Sequence, residues 1–167
     1  MPAKTPKELF MMLLSDVRQN TERAGNVYQE LAKMAQDPQV KEAVEARAFI
    51  SSKTLEKLDQ CFKLIGEQPV KLSGRLQEVL VEDFKKELQE IQSPEARHLY
   101  ILAKLVHLTH FRIGEYVALV AAADITGHYA VGALLESCLG EKLAFVERTR
   151  RLMRHLVEAR IAERRAA

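Results

Sequence analysis

The sequence has no tryptophan, and phenylalanine and tyrosine bring its aromatic share to only 6%. Single-stranded nucleic acid binds by stacking bases on such rings and would find few platforms here. Cysteine is almost as scarce. Cys61 and Cys138 stand alone, with no CxxC and no ladder of spacings, which argues against a disulfide framework or a zinc ribbon and leaves two buried thiols. Seven glycines and five prolines in 167 residues are too few for a low-complexity or turn-rich all-β chain. No apolar run approaches membrane-spanning length: Val117 to Ala123 reads as a buried helix segment, and Leu9 to Leu14 is too short for a secretory signal core, with Asp16 close behind. A cytoplasmic protein with no membrane partner is expected. A formal net charge of +2 is too small to gather DNA or anionic lipid by a whole-molecule field and argues neither for nor against a partner; with so few aromatic platforms, a nucleic-acid partner is not expected.

What is present is the composition of a helical domain, 47% hydrophobic and 29% charged. One domain over residues 1–167 is long enough to bury a core unaided, with a short lead at 1–5 and a basic helix end at 157–167. Thr5-Pro6-Lys7-Glu8 spells a capped helix start, with Pro6 where its missing N–H costs nothing and Glu8 completing a capping box. Phe10, Leu14, Val17, Thr21, Ala24, Tyr28, Leu31 and Ala35 then recur at spacings of three and four, the seam of a packed helix. Asp37-Pro38 ends this helix and caps a second, whose seam is Val44, Ala48, Ser51, Leu55, Leu58, Phe62 and Ile65 and whose stop is Gly66. Joined by so tight a turn, the two must be antiparallel neighbours. A connecting stretch follows, with a shorter amphipathic helix capped by Ser73 and carrying Leu76, Leu80, Phe84 and Leu88. Ser93-Pro94-Glu95 opens the third long helix, with Leu99, Leu102, Val106, His110, Ile113, Val117 and Val120 as its seam and Thr126-Gly127 as its end. The fourth runs from about His128 and uses Leu134, Cys138, Glu141, Phe145, Leu152 and Leu156. Four long helices, a long connection between the second and third, and no strand pattern give an all-α, ferritin-like four-helix bundle with a short extra helix in the crossover.

Leu13-Leu14-Ser15-Asp16, Leu55-Glu56-Lys57-Leu58-Asp59, His110, Ile113, Tyr116, Gly127, Leu134-Leu135 and Leu139 form a dispersed pattern from about Lys7 to Leu156. In it the chain resembles the YciE/YciF family of bacterial ferritin-like, stress-associated proteins. That resemblance implies a two-metal centre, in which carboxylates and Glu-x-x-His pairs present hard oxygen and imidazole ligands to iron or manganese from one helix face. The implied ligand positions fall on other chemistry. The first-helix glutamate falls on Thr21. The second-helix Glu-x-x-His falls on Phe49 and Ser52, and the third-helix set falls on Thr109-His110-Phe111-Arg112, keeping an imidazole but gaining a permanent cation that repels a metal. Only the fourth helix keeps an acid, Glu141, within one residue of register.

The sole Glu-x-x-His match, Glu95-Ala96-Arg97-His98, lies in a first helical turn, far from the centre. His107 and His110 stand at metal-chelating spacing but lack further ligands, so a core histidine at 110 and a partly exposed one at 107 are expected. No Ser-His-Asp order, nucleophile elbow, P-loop or dinucleotide fingerprint is present. The run Arg148, Arg150, Arg151, Arg154, Arg160, Arg164 and Arg165 is interleaved with Glu147, Glu158 and Glu163 and reads as a solvated face with a Glu147–Arg151 pair; a phosphate-binding patch is the minority reading.

The expectation is a non-enzymatic bundle with no cofactor and a degenerate, metal-free centre at Thr21, Phe49, Ser52, His110, Arg112 and Glu141. An Arg112–Glu141 ion pair would replace the metals. Its role is structural or interactive, in stress physiology by resemblance. The competing reading is an iron- or manganese-binding bundle, with di-iron or di-manganese as cofactor and ligands placed elsewhere. A homodimer is expected from the resemblance and from Val27, Met34 and Ile50, apolar residues lying off the seam.

Overall fold

Three of the four long helices begin where a side chain accepts from their free N–H groups. Thr5 accepts from the Glu8 amide at 3.2 Å and Glu8 reaches back to the Thr5 amide at 3.1 Å, closing the expected capping box. Asp37 accepts from Gln39 and Val40, and Ser93 from Ala96. The ends are as specific: Gly66 (φ 76°) and Gly127 (φ 74°) adopt left-handed backbone, which a Cβ would disfavour. The computed structural model describes residues 3–73 and 76–166, which form α1 (Pro6–Met34), α2 (Pro38–Ile65), α3 (Leu76–Glu90), α4 (Pro94–Ile125) and α5 (Tyr129–Ala166), with no strand among them. The expected cap at Ser73 borders residues 74 and 75, which lie outside the described residues, as do the side chains of Leu76, Arg160, Glu163 and Arg164.

Cross-links fix the helix directions. Arg18 in the first half of α1 pairs with Asp59 late in α2, and Lys7 at the start of α1 with Glu67 just past the end of α2, so these helices are antiparallel. The segment after α2 then climbs back beside α1. Ser15 accepts from the Val70 amide, and Gln19 exchanges two hydrogen bonds with the backbone of Leu72, at 2.9 and 3.1 Å. Above it α3 is tied to α1 by Arg23–Glu78 and Glu30–Lys85, and to α4 by Lys104–Glu87. This return makes α4 start at the end where α2 started. The packed pairs are α1 with α2 and α4, and α5 with α4 and α2, so the four long helices surround a shared interior.

That interior is divided. One apolar cluster holds Leu31, Val44, Phe84, Leu88, Leu102 and Leu105; the other holds Phe10, Leu14, Leu58, Tyr116, Leu119 and Leu135. Both long clusters bury large aliphatic side chains fully, the dominant favourable contribution to folding. The seam expected for α1 is buried from Phe10 to Ala35. That of α4 is rotated: Leu102, Leu105, Thr109, Arg112, Tyr116, Leu119 and Ala123 face inward, while Val117 is 55% exposed. An apolar reading slid past the polar seam positions Thr109 and Arg112. In α5 the inward series is Val131, Leu135, Cys138, Lys142, Phe145 and Thr149. Val27, Met34 and Ile50 are partly buried against the first cluster, so they are not the free stripe from which a dimer was argued.

Candidate functional site

Between the two clusters the inward positions turn polar on all four long helices. From α1 comes Thr21, whose hydroxyl donates to the Val17 carbonyl at 2.7 Å. From α2 come Arg47, Ser51 and Thr54, at spacings that share one helix face. Thr109 and Arg112 enter from α4, and Lys142 from α5, one turn after Cys138. Arg47, Arg112 and Lys142 are 4%, 6% and 2% exposed, so three cationic side chains are buried in one layer.

They enclose a cavity with about 10 Å³ of room, lined by Thr21, Ala24, Tyr28, Arg47, Ser51, Thr54, Arg112 and Lys142. The Arg47 guanidinium carbon lies 4.9 Å from the Tyr28 ring centre and 5.5 Å from that of Phe145, a two-sided cation–π clamp. Its Nε and Nη1 donate to no acceptor among the described residues. Arg112 donates through Nη1 to Glu115 Oε2 at 2.6 Å, and Lys142 Nζ sits 4.1 Å above the Tyr116 ring. Two further buried hydroxyls, on Thr54 and Tyr116, lack partners among the described residues.

Low dielectric and like charge set the proton affinities of this layer. Burial, reinforced by Arg47 and Arg112, pushes Lys142 down to about 7. Burial raises Glu115 against the opposing pull of Arg112, and it raises Tyr116 well above the ordinary phenol value. The buried thiols are inert by the same cause: burial pushes Cys61 up to about 12 and also raises Cys138.

Of the positions singled out in the sequence, Thr21 and Arg112 meet at this cavity. The others do not. Phe49 is 65% exposed and Ser52 is also exposed, because the inward face of α2 runs through Arg47, Ser51 and Thr54. His110 is exposed as well, with Nδ1 3.0 Å from the Val106 carbonyl, so the expected core histidine is corrected to a surface one. The expected Arg112–Glu141 ion pair is also corrected. Arg112 has Glu115 one turn away on its own helix, and Glu141 takes Lys57 across from α2 at 2.6 Å. Sequence reasoning missed Arg47 and Lys142. The signal was present in spacing, since each stands four residues from an expected seam position, Ser51 and Cys138.

The donor set does not suit the dinuclear carboxylate centre implied by resemblance. Among the described residues no three His, Cys, Asp or Glu side chains come together in an arrangement able to hold a metal ion. The cavity lining has hydroxyls and cations but no carboxylate. Elsewhere, His98 and Glu95 line an open groove near the start of α4, and Glu147 pairs with both Arg150 and Arg151 on an exposed face, as expected for a solvated charge run. No described helix is long and apolar enough to cross a membrane.

Comparison with known proteins places this arrangement among related folds. The sequence profile described as "Domain of unknown function (DUF892)" matches residues 5–164. Among solved structures the chain is similar to the Escherichia coli stress protein YciF, with a TM-score of 0.87 at 22% identity over 93% of this chain and 99% of that one. It is similar to YcfI, a candidate structural protein of Rhodopseudomonas palustris, with a TM-score of 0.84 at 21% identity over 88% and 94%. A protein from Xanthomonas campestris pv. campestris gives 0.74 at 18% identity over 96% and 99%. No curated protein matches the chain.

Proposed function

The chain belongs to the DUF892 family, and on that footing we propose that it is a non-enzymatic, ferritin-like four-helix bundle protein whose di-metal centre is degenerate and metal-free. One observation carries the reading: where such a bundle would hold metal, Arg47, Arg112 and Lys142 line the cavity and no carboxylate does. Guanidinium groups stay protonated, cannot ligate a cation, and repel one across a low-dielectric pocket. The half-buried acid Glu115 is engaged by Arg112. With no nucleophile–base pair at the centre, the role left to the fold is structural or interactive. A stress-related setting is carried over from YciF, itself described as a stress protein, and a cytoplasmic one is part of the same proposal. The same reading includes a homodimer, whose contact would draw on exposed apolar side chains of the long helices such as Phe49, Val117 and Leu143. Light scattering on the eluting peak tests that part, a mass near 19.0 kDa standing against it.

Elemental analysis of protein purified without chelators tests the central claim. The expected result is far less than one iron or manganese per chain. About two per chain, the occupancy of a dinuclear bundle site, would overturn it in favour of a metalloprotein with unusual ligands.

A further inference from the structure

A buried guanidinium with two N–H groups facing no acceptor is a rare and costly arrangement, and here it borders a cavity that two other cations share. We propose that the cavity between Thr21, Arg47, Ser51, Thr54, Arg112 and Lys142 is a binding site for one small inorganic anion of chloride size. Because the ligand would sit at the centre discussed above, this inference rests on that centre being free of metal.

Three independent features select the ligand. Charge comes first. Three cationic side chains line the cavity and no acid does: Glu115 is taken by Arg112, and Glu141, outside the lining, gives Oε1 to Lys57 while its Oε2 is buried without a partner among the described residues. Hydrogen bonding is second. Arg47 Nε and Nη1 and the Thr54 hydroxyl have no partners among the described residues, so three donors await one acceptor. A water molecule would accept from two of them at most and leave the charge uncompensated, whereas a spherical anion accepts from every side. Size is third. About 10 Å³ of room is close to what a single water needs, so a tetrahedral oxyanion is excluded, and a chloride, larger than water, is seated as the flexible Arg47 and Lys142 side chains give way.

Occupancy is coupled to protonation of the one lining cation that can shed its charge. Arg47 and Arg112 remain charged, while Lys142, pushed down to about 7, loses its proton in an empty pocket near neutrality. An anion holds that proton in place, so affinity is greatest below about pH 7 and falls as Lys142 is neutralised. The other ionisable groups around Lys142 are Arg47 from α2, Arg112 and Tyr116 from α4, and Cys138 and Glu141 on α5, with Glu115 beside Arg112; Asp16 of α1 acts on Glu115. Of these, Cys138 and Tyr116 are held neutral, their proton affinities raised by burial.

The test compares thermal unfolding of the full chain in sodium chloride and in sodium gluconate at equal ionic strength, since gluconate is too large to enter. Chloride should stabilise with the logarithm of its concentration once above its dissociation constant, raising the folding equilibrium constant about 100-fold at about 100 times that constant. The gain should shrink several-fold between about pH 6 and about pH 9, where the amine is neutral. Thr54→Val, nearly isosteric, should weaken the chloride effect, and Arg47→Met should abolish it. A crystal grown in bromide should show one anomalous peak in the cavity. Equal midpoints in the two salts together with no bromide peak would overturn the proposal, whatever the variants do. Metal analysis separates the two failures: about two metals per chain sinks both readings, whereas metal-free protein indifferent to chloride sinks this one alone.

Discussion

Toward either end of the helix assembly the inward positions hold Leu14, Leu58, Leu119 and Leu135 or Leu31, Val44, Leu102 and Leu105, while between them the same faces carry Arg47, Arg112 and Lys142. The helices do not change; the chemistry they enclose does. In the apolar clusters, burial itself is favourable and each side chain is held by its neighbours. In the polar layer, burial is a cost that must be offset group by group: by the aromatic clamp on Arg47, by Glu115 beside Arg112, by the Tyr116 ring and loss of a proton at Lys142. The two regions teach that the ends stabilise the fold and the middle spends part of that stability on something else.

That contrast can be broken. Leu135 is fully buried, so Leu135→Ala should cost roughly 2–5 kcal/mol in urea unfolding, with an unchanged dependence on denaturant. A loss below about 1 kcal/mol would mean that the end cluster repacks freely. In the polar layer the sign reverses. The folded chain holds Lys142 neutral above about pH 7, whereas the unfolded chain keeps it charged until about pH 10.4. Unfolding therefore takes up a proton between those limits, so stability climbs with pH across them and the full penalty applies below. Lys142→Met should raise stability at pH 7 in chloride-free buffer by on the order of 1–4 kcal/mol and flatten the climb. A destabilised variant with the slope intact would refute the penalty.

Two ion pairs sharpen the comparison further. Arg112 and Glu115 keep only 7% and 18% of their side chains exposed, so removing either alone should cost about 2–3 kcal/mol and leave an unpaired charge. Replacing both with apolar residues should come closer to neutral, and a double-mutant cycle gives the coupling. Lys57 and Glu141, at 27% and 38%, lie at the edge of the layer. Their coupling should stay below about 1 kcal/mol and weaken with salt. A value as large as that of the inner pair would erase the distinction between layer and rim.

The long helices were legible because their boundaries are written locally. Thr5-Pro6, Asp37-Pro38, Ser93-Pro94, Gly66 and Gly127 each act within a few residues of themselves. The α1 seam was equally legible, since Thr21, the polar residue within its expected series, is small enough to pass as part of an apolar stripe. The polar layer was not. Periodicity finds a core by its hydrophobicity, so on α4 the reading stepped from Thr109 and Arg112 onto Ile113 and Val117, and on α5 from Lys142 onto Glu141. A buried cation looks like a surface residue until three-dimensional neighbours reveal what offsets its charge. Thr21 and Arg112 were placed only because they fall on ligand positions implied by the resemblance, whereas Arg47 and Lys142 match none of those positions.

The crossover helix α3 has a different fate from the helices it links. Only Val81, Phe84 and Leu88 of its described side chains are buried, and its ties to α1 and α4 are the exposed charge pairs Arg23–Glu78, Glu30–Lys85 and Lys104–Glu87. Screening weakens such pairs, so α3 depends on a short apolar edge in which Phe84 and Leu88 are the fully buried members. The amides of α3 are thus set to exchange with solvent through local opening, well before those of the long helices require global unfolding. A protease meets the same hierarchy: it can cut this strap while the four long helices on either side stay folded together.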